Sequence, residues 1–243
     1  MKAVALGLVL GLLATPAFAG FDDGIEAYNR GDFVDAMAAF KPLAVQGDPR
    51  AQFNVGLMYE DGRGVPPDFA AAMKWYRVAA QQGEVRAQNN IGYMYCHGRG
   101  VEQDFREAMS WYRLSAEQEF PRAQFNIGLM YDEGTGVAQD FAEARKWYQL
   151  AADKGDGNAL FRLALLAEEG RGGGADPVQA HVLYGAAATR FAAGSYREMA
   201  LERRAALAGT LTADQVEEAQ RRLAERNDAQ PQVGLTKTAS PAR

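Results

Sequence analysis

The chain has 243 residues, 48% of them apolar and 23% charged, a balance that allows a sizeable packed core and excludes global disorder. A formal charge of -5 excludes a nucleic-acid surface, which needs clustered Lys and Arg to displace counterions. The single cysteine, Cys96, excludes an intramolecular disulfide, so stability has to come from packing.

The first predicted element is "MKAVALGLVLGLLATPAFAG". One Lys precedes an apolar run from Ala3 to about Ala14, Pro16 breaks any helix, and Ala17-Phe18-Ala19 places small residues around a cleavage point. This is the layout of a secretory signal peptide over residues 1–19, cleaved after Ala19, which predicts a periplasmic or secreted mature chain. The apolar run is shorter than the roughly 20 residues that span a bilayer, so no stable membrane insertion is expected after cleavage.

The next segment, residues 20–47, is an abbreviated form of a unit that follows it in full. "YEDGRGVPPDFAAAMKWY" from Tyr59 recurs as "YCHGRGVEQDFREAMSWY" from Tyr95 and as "YDEGTGVAQDFAEARKWY" from Tyr131, thirty-six residues apart each time. In steps of thirty-six, Ala51, Ala87, Ala123 and Ala159 align without a gap. So do Gly56, Gly92, Gly128 and Ala164, and so do the pairs Trp75-Tyr76, Trp111-Tyr112, Trp147-Tyr148 and Leu183-Tyr184. A fixed period of this length signals a solenoid of helix pairs, in which each unit buries its apolar face against its neighbour. The predicted copies span 48–83, 84–119, 120–155 and 156–191. The abbreviated copy before them puts Asp32 at a cap, Ala36 at the small position and Phe40 where the others have Tyr.

Within a copy, Asp48 can cap a first helix running to Glu60, with Pro49 in its first turn and Ala51, Val55, Met58 and Tyr59 on one stripe. Gly56 sits inside that helix, where Gly costs about 1 kcal/mol relative to Ala. Its recurrence predicts close approach of the partner helix or its Trp. Gly62 and Gly64 then supply left-handed backbone for the turn. Asp68, Asp104, Asp140 and Asp176 are placed to cap the second helix, and Glu107, Glu143 and Gln179 three residues on predict capping boxes. Gly47, Gly83 and Gly155 end second helices. The third junction reads Glu119-Phe120-Pro121 instead, which predicts a shifted or tighter connection with Pro121 starting the next helix.

After the fourth copy, residues 192–226 predict two terminal capping helices, the last one capped by Thr212 with Gln215 three residues on. Residues 227–243 carry Pro, Ala, Thr and Ser without periodicity and predict a disordered tail.

The elements A-x-x-x-[VIL]-G-x-x-Y, G-x-G-V-x-x-D and A-x-x-W-Y-x-x-A-A, repeated from Tyr28 to about Phe191, resemble the Sel1-like repeat family, relatives of tetratricopeptide repeats with a slightly longer unit. The fourth copy departs from the pattern: "GRGGGAD" replaces the turn, Ala167 the Tyr and Leu183 the Trp. The resemblance implies an all-α, right-handed α/α superhelix of antiparallel helix pairs acting as a protein interaction scaffold. In exported bacterial members it further implies regulation of envelope processes or signalling.

If first helices line the concave face, as in related solenoids, a ligand meets residues beside the core stripe. These are Asn54, Asn90, Asn126 and Arg162, and one turn further Leu57, Tyr93, Leu129 and Leu165. An Asn ladder can read a peptide backbone through two hydrogen bonds per side chain. The same Asn can equally set the stacking between helices. The partner expected is a protein or peptide. No cofactor or metal is expected, because His97 and His181 lie in different copies and no four-donor set surrounds them.

Catalysis has little support. Cysteine-rich relatives have been associated with penicillin binding or hydrolysis, which makes a cell-wall or β-lactam hydrolase the enzyme alternative. This chain lacks S-x-x-K and S-D-N, and its nearest K-T-G is Lys237-Thr238-Ala239. A self-assembling structural role is the third reading.

Overall fold

The computed structural model describes residues 20–229. The signal-peptide reading of 1–19 lies outside that range, and so does the expected tail except for residues 227–229. Those three continue the last helix.

Among the described residues there are twelve helices and no strand. An N-terminal pair, α1 (Phe21–Arg30) and α2 (Phe33–Val45), precedes four further pairs. These are α3 (Pro49–Asp61) with α4 (Phe69–Gln81), α5 (Val85–His97) with α6 (Phe105–Glu117), α7 (Pro121–Glu133) with α8 (Phe141–Asp153), and α9 (Gly157–Glu169) with α10 (Pro177–Arg190). Two more, α11 (Ser195–Ala208) and α12 (Ala213–Ala229), close the C-terminal end. The two helices of a pair pack on each other, and each second helix also packs on the first helix that follows it, which makes the chain an α/α solenoid.

Small residues set the spacing inside a pair. Ala51, Ala87, Ala123 and Ala159 on first helices and Ala72, Ala108, Ala144 and Ala180 on second helices have no exposed surface. The recurrent mid-helix glycine has a steric reason. A Cβ on Gly56 would lie 2.7 Å from the Tyr76 ring, one on Gly92 2.7 Å from Tyr112, and one on Gly128 2.6 Å from Tyr148. The partner helix does approach closely, with the Ala72 carbonyl 3.3 Å from a Cβ on Gly56, but the ring pressed onto the glycine is Tyr and not the expected Trp. Tyr76, Tyr148 and Tyr184 are 0% exposed and Tyr112 2%, while Trp75, Trp111 and Trp147 are only half-buried. A buried aromatic truncated to Ala costs about 3–5 kcal/mol, and that penalty belongs to the Tyr column. The N-terminal pair repeats the arrangement with Gly24 under Phe40.

The turns follow the expected path. Gly62 and Gly64 have φ of 68° and 72°, and a Cβ on Gly64 would also meet the carbonyl of Phe33 at the start of the preceding second helix. The divergent fourth turn keeps this path, with Gly170 and Gly172 at 72° and 68° and Gly172 against the Phe141 carbonyl.

Three local expectations are corrected. Asp104, Asp140 and Asp176 accept backbone N–H bonds as N-caps, yet the reciprocal half of each capping box is not formed. The N–H it would satisfy already donates to the carbonyl of Tyr95, Tyr131 or Ala167. Asp32 occupies a cap position but receives Arg30 Nε at 3.0 Å instead of capping α2. Pro121 starts α7 as expected, but the Glu119 junction is not shifted: α6 and α7 have 13 residues, as do α3, α4, α5 and α8, because Glu119 adopts φ 60° where Gly47, Gly83 and Gly155 stand elsewhere. The expected box at Thr212 does form, with Thr212 N donating to Gln215 Oε1 at 2.9 Å and Gln215 N to Thr212 Oγ1 at 3.3 Å.

Candidate functional site

The first helices α3, α5, α7 and α9 carry the expected ligand-facing residues, and the structure separates them into two groups. Asn54 is 6% exposed and its Nδ2 donates back to the Arg50 carbonyl at 2.8 Å within its own helix. Leu57 is 5% exposed and belongs to the core. Neither presents a surface to a ligand. Asn90, Asn126, Arg162, Tyr93, Leu129 and Leu165 are half-buried.

The half-buried polar members join successive copies. Asn90 Nδ2 donates to Tyr76 Oη at 3.1 Å, and Tyr76 Oη donates to Glu60 Oε2 at 2.8 Å. Asn126 Nδ2 donates to Asn89 Oδ1 at 2.9 Å. Arg162 lies 3.6 Å from Asp132 Oδ2, which also receives Tyr148 Oη at 2.9 Å. The fourth copy repeats the device with Tyr184 Oη to Glu168 at 2.6 Å, and Arg203 of α11 supplies the cation at 3.4 Å. In the first copy Arg99 plays that part toward Glu60 at 3.5 Å.

A column of acids, Glu60, Asp132 and Glu168, thus ties a core Tyr of its own copy to a donor of the next. Burial, reinforced by the adjacent carboxylate, pushes the Tyr76, Tyr148 and Tyr184 hydroxyls well above the ordinary phenol range. Glu60 and Glu168 stand near helix ends, where an acid is ordinarily a solvated charge. The spacing that reveals them is the constant sixteen residues from acid to Tyr.

Cys96 interrupts the column. Burial, with Glu133 nearby, pushes its thiol up, the opposite of the lowered value a reactive thiolate needs. Next to it, His97 Nδ1 lies 2.9 Å from the Tyr93 carbonyl and its ring stacks at 4.0 Å on Tyr93. Among the described residues no cluster of three or more His, Cys, Asp or Glu is placed to hold a metal ion, and no helix is long and apolar enough to cross a membrane.

Of the expected ligand-facing residues, Tyr93, Leu129 and Leu165 keep partial exposure at one position of three successive copies, with Asn90, Asn126 and Arg162 one turn before. At the N-terminal edge Arg50 and Arg86 are held by Asp48 and Glu84 at 2.9 and 2.8 Å, with their guanidinium groups 4.4 Å over Phe21 and Phe53. A row of apolar patches framed by fixed hydrogen-bonding groups suits an extended peptide or a protein edge.

Four Sel1 repeats match the chain at residues 49–84, 85–120, 121–156 and 157–190. Among solved structures, a Sel1 repeat protein from Oxalobacter formigenes is 35% identical, with a TM-score of 0.60 over 69% of this chain and 69% of that one. The uropathogenic Escherichia coli protein c5321, described as a protective antigen with an SLR fold, is 31% identical, with a TM-score of 0.69 over 86% of this chain. Only 46% of that longer protein is covered. A Sel1 repeat protein of Klebsiella pneumoniae shares the fold at 16% identity and a TM-score of 0.52. No curated protein matches the chain. Four matching repeats in tandem, closed at both ends by extra helices, make this chain a member of the Sel1-repeat family.

Proposed function

We propose that this chain is an exported scaffold that binds a protein or peptide along the exposed row of its first helices. The observation that carries the reading is the recurrence of Tyr93, Leu129 and Leu165 as half-buried apolar residues at one repeat position, beside Asn90, Asn126 and Arg162. Sel1-repeat proteins are generally non-catalytic and mediate protein interactions, which supports a protein ligand. Because the Asn side chains are already engaged between copies, the apolar row supplies contact area and the polar residues fix its shape. The signal-peptide pattern of residues 1–19 supports export, and an exported scaffold of this kind would act on envelope or signalling partners.

A photo-crosslinking residue placed singly at Tyr93, Leu129, Val78 or Leu150 in the native host tests the reading. Val78 and Leu150 lie on second helices and are 43% and 47% exposed, so they control for exposure alone. The expected result is one discrete adduct from Tyr93 and Leu129 in the exported fraction and none from the other two. Adducts of equal yield from all four positions, or from the second helices only, would overturn it.

A further inference from the structure

The fourth copy departs from the others at two places on α10 that face the C-terminal helices. His181 stands where the first two full copies have Met73 and Met109, both buried core residues, and the third has Arg145. Gly185, one turn on, replaces Arg77, Arg113 and Gln149. A Cβ at Gly185 would lie 2.6 Å from Leu223 of α12 and 3.2 Å from Arg204 Nε of α11, so the glycine makes room for that guanidinium against the α10 backbone.

Beside it lies a shallow, open cleft of about 220 Å³ between α10 and α11, mostly apolar in its accessible lining, formed by His181, Leu201, Arg204, Ala205 and Ala208. His181 is 4% exposed, and its Nδ1 is buried without a hydrogen-bond partner. Arg204 Nε is likewise buried and unpartnered, and among the described residues no carboxylate forms an ion pair with Arg204. Buried polar groups are almost always satisfied, so two such nitrogens at one cleft are anomalous. Burial, with Arg204 beside it, pushes the imidazole down and so disfavours its charged form, and Arg204 is the only Arg or Lys among the lining residues.

We propose that this cleft binds a single carboxylate carrying a short apolar group. The guanidinium fork of Arg204 matches a carboxylate in shape and charge, His181 Nδ1–H can donate a further bond, and Leu201, Ala205 and Ala208 receive the apolar part. One net positive charge favours a monoanion over a phosphate dianion. A free short-chain acid and the C-terminus of a peptide offer the same chemistry.

The full chain contains two histidines, so the imidazole resonances of His181 and His97 can be followed separately by NMR. Sodium butyrate titrated at constant ionic strength should shift His181 saturably, with a midpoint on the order of millimolar, and leave the exposed His97 unmoved. Butyramide, which has the same shape without the charge, should have no effect. Arg204→Met should weaken butyrate binding at least about tenfold. An acetylated dipeptide ending in a free Leu carboxylate, compared with its amide, identifies the source: tighter binding than butyrate points to a chain terminus and weaker binding to a free acid. Equal shifts with butyrate, butyramide and chloride in the unaltered chain would overturn the proposal without recourse to any variant.

Discussion

The Tyr76 hydroxyl donates to Glu60 across 2.8 Å and accepts from Asn90 at 3.1 Å, so one buried oxygen connects both helices of its copy to the first helix of the next. Tyr112, its counterpart one copy on, has Cys96 in place of the acid and no hydrogen bond from its hydroxyl among the described residues. Tyr76→Phe should therefore destabilise the fold by about 1–3 kcal/mol, since it removes the hydrogen bonds to Glu60 and from Asn90 together. Tyr112→Phe should cost under about 0.5 kcal/mol. Urea unfolding of the two variants checks the contrast, and equal losses would show that the acid column does not couple the copies.

The same column predicts alkaline sensitivity. Folding raises the pKa of Tyr76, Tyr112, Tyr148 and Tyr184 above the ordinary 10.0, burial being the largest cause in each. A group whose folded value is raised contributes stability in full below its unfolded value and loses it as pH climbs above that value. Stability should thus be flat in these groups up to about pH 10 and fall beyond it. Denaturant midpoints measured across this range, with tyrosinate absorbance followed in parallel, should show the four rings ionising only as the chain unfolds.

Much of this was legible from a thirty-six-residue period. Helix bounds, left-handed turn glycines and caps are local properties, and Asp48, Gly62 and Thr212 each announce theirs. What was not legible is which of two adjacent aromatics turns inward. Trp75 and Tyr76 differ by one position, about 100° around the helix, and only the packing of Gly56 against the next helix decides between them. The reciprocal half of the capping boxes failed for a similar reason: the competing acceptor, such as the Tyr95 carbonyl, lies on another helix. The Asn positions were found, but their partners, Tyr76 and Asn89, belong to neighbouring helices or copies and no spacing rule separates such a bond from an open ligand ladder.

The glycine under the Tyr ring is testable against its natural exception. Ala164 occupies that position in the fourth copy, and there Tyr184 meets Phe161 at an interplanar angle of 63°, against 30° for Phe53 and Tyr76. The extra methyl goes with a turned ring. Gly56→Ala gains about 1 kcal/mol of helix propensity, but it forces a Cβ to 2.7 Å from Tyr76 and should lose about 1–3 kcal/mol to overpacking. The net expectation is a lower melting temperature, read by circular dichroism. An increase would mean that the Tyr76 ring turns freely.

Glu119 holds φ 60° where three other junctions have glycine. Glu119→Ala keeps the strained backbone and removes the 2.7 Å contact with Lys154, whereas Glu119→Gly removes the contact and relieves the strain. The Gly variant should melt about 2–4 °C above the Ala variant. Identical melting temperatures would place the junction's stability elsewhere.

Lys154 also accounts for an unpartnered atom. In the first two full copies a glutamine following the second helix bonds one on the first: Gln82 Nε2 donates to Gln52 Oε1 at 2.8 Å, and Gln118 Nε2 to Gln88 Oε1 at 2.9 Å. The third copy keeps the acceptor, Gln124, but has Lys154 at the donor position, and Lys154 Nζ turns to Glu119. Gln124 Oε1 is left buried without a partner. Lys154→Gln should restore the bond and contribute about 0.5–1.5 kcal/mol, because an exposed ion pair is exchanged for satisfaction of a buried acceptor. A rise in the urea midpoint with an unchanged slope is the expected result. Combined with Gln124→Leu, which removes the acceptor, the gain should vanish, and a gain that survives would trace instead to the charge removed at residue 154.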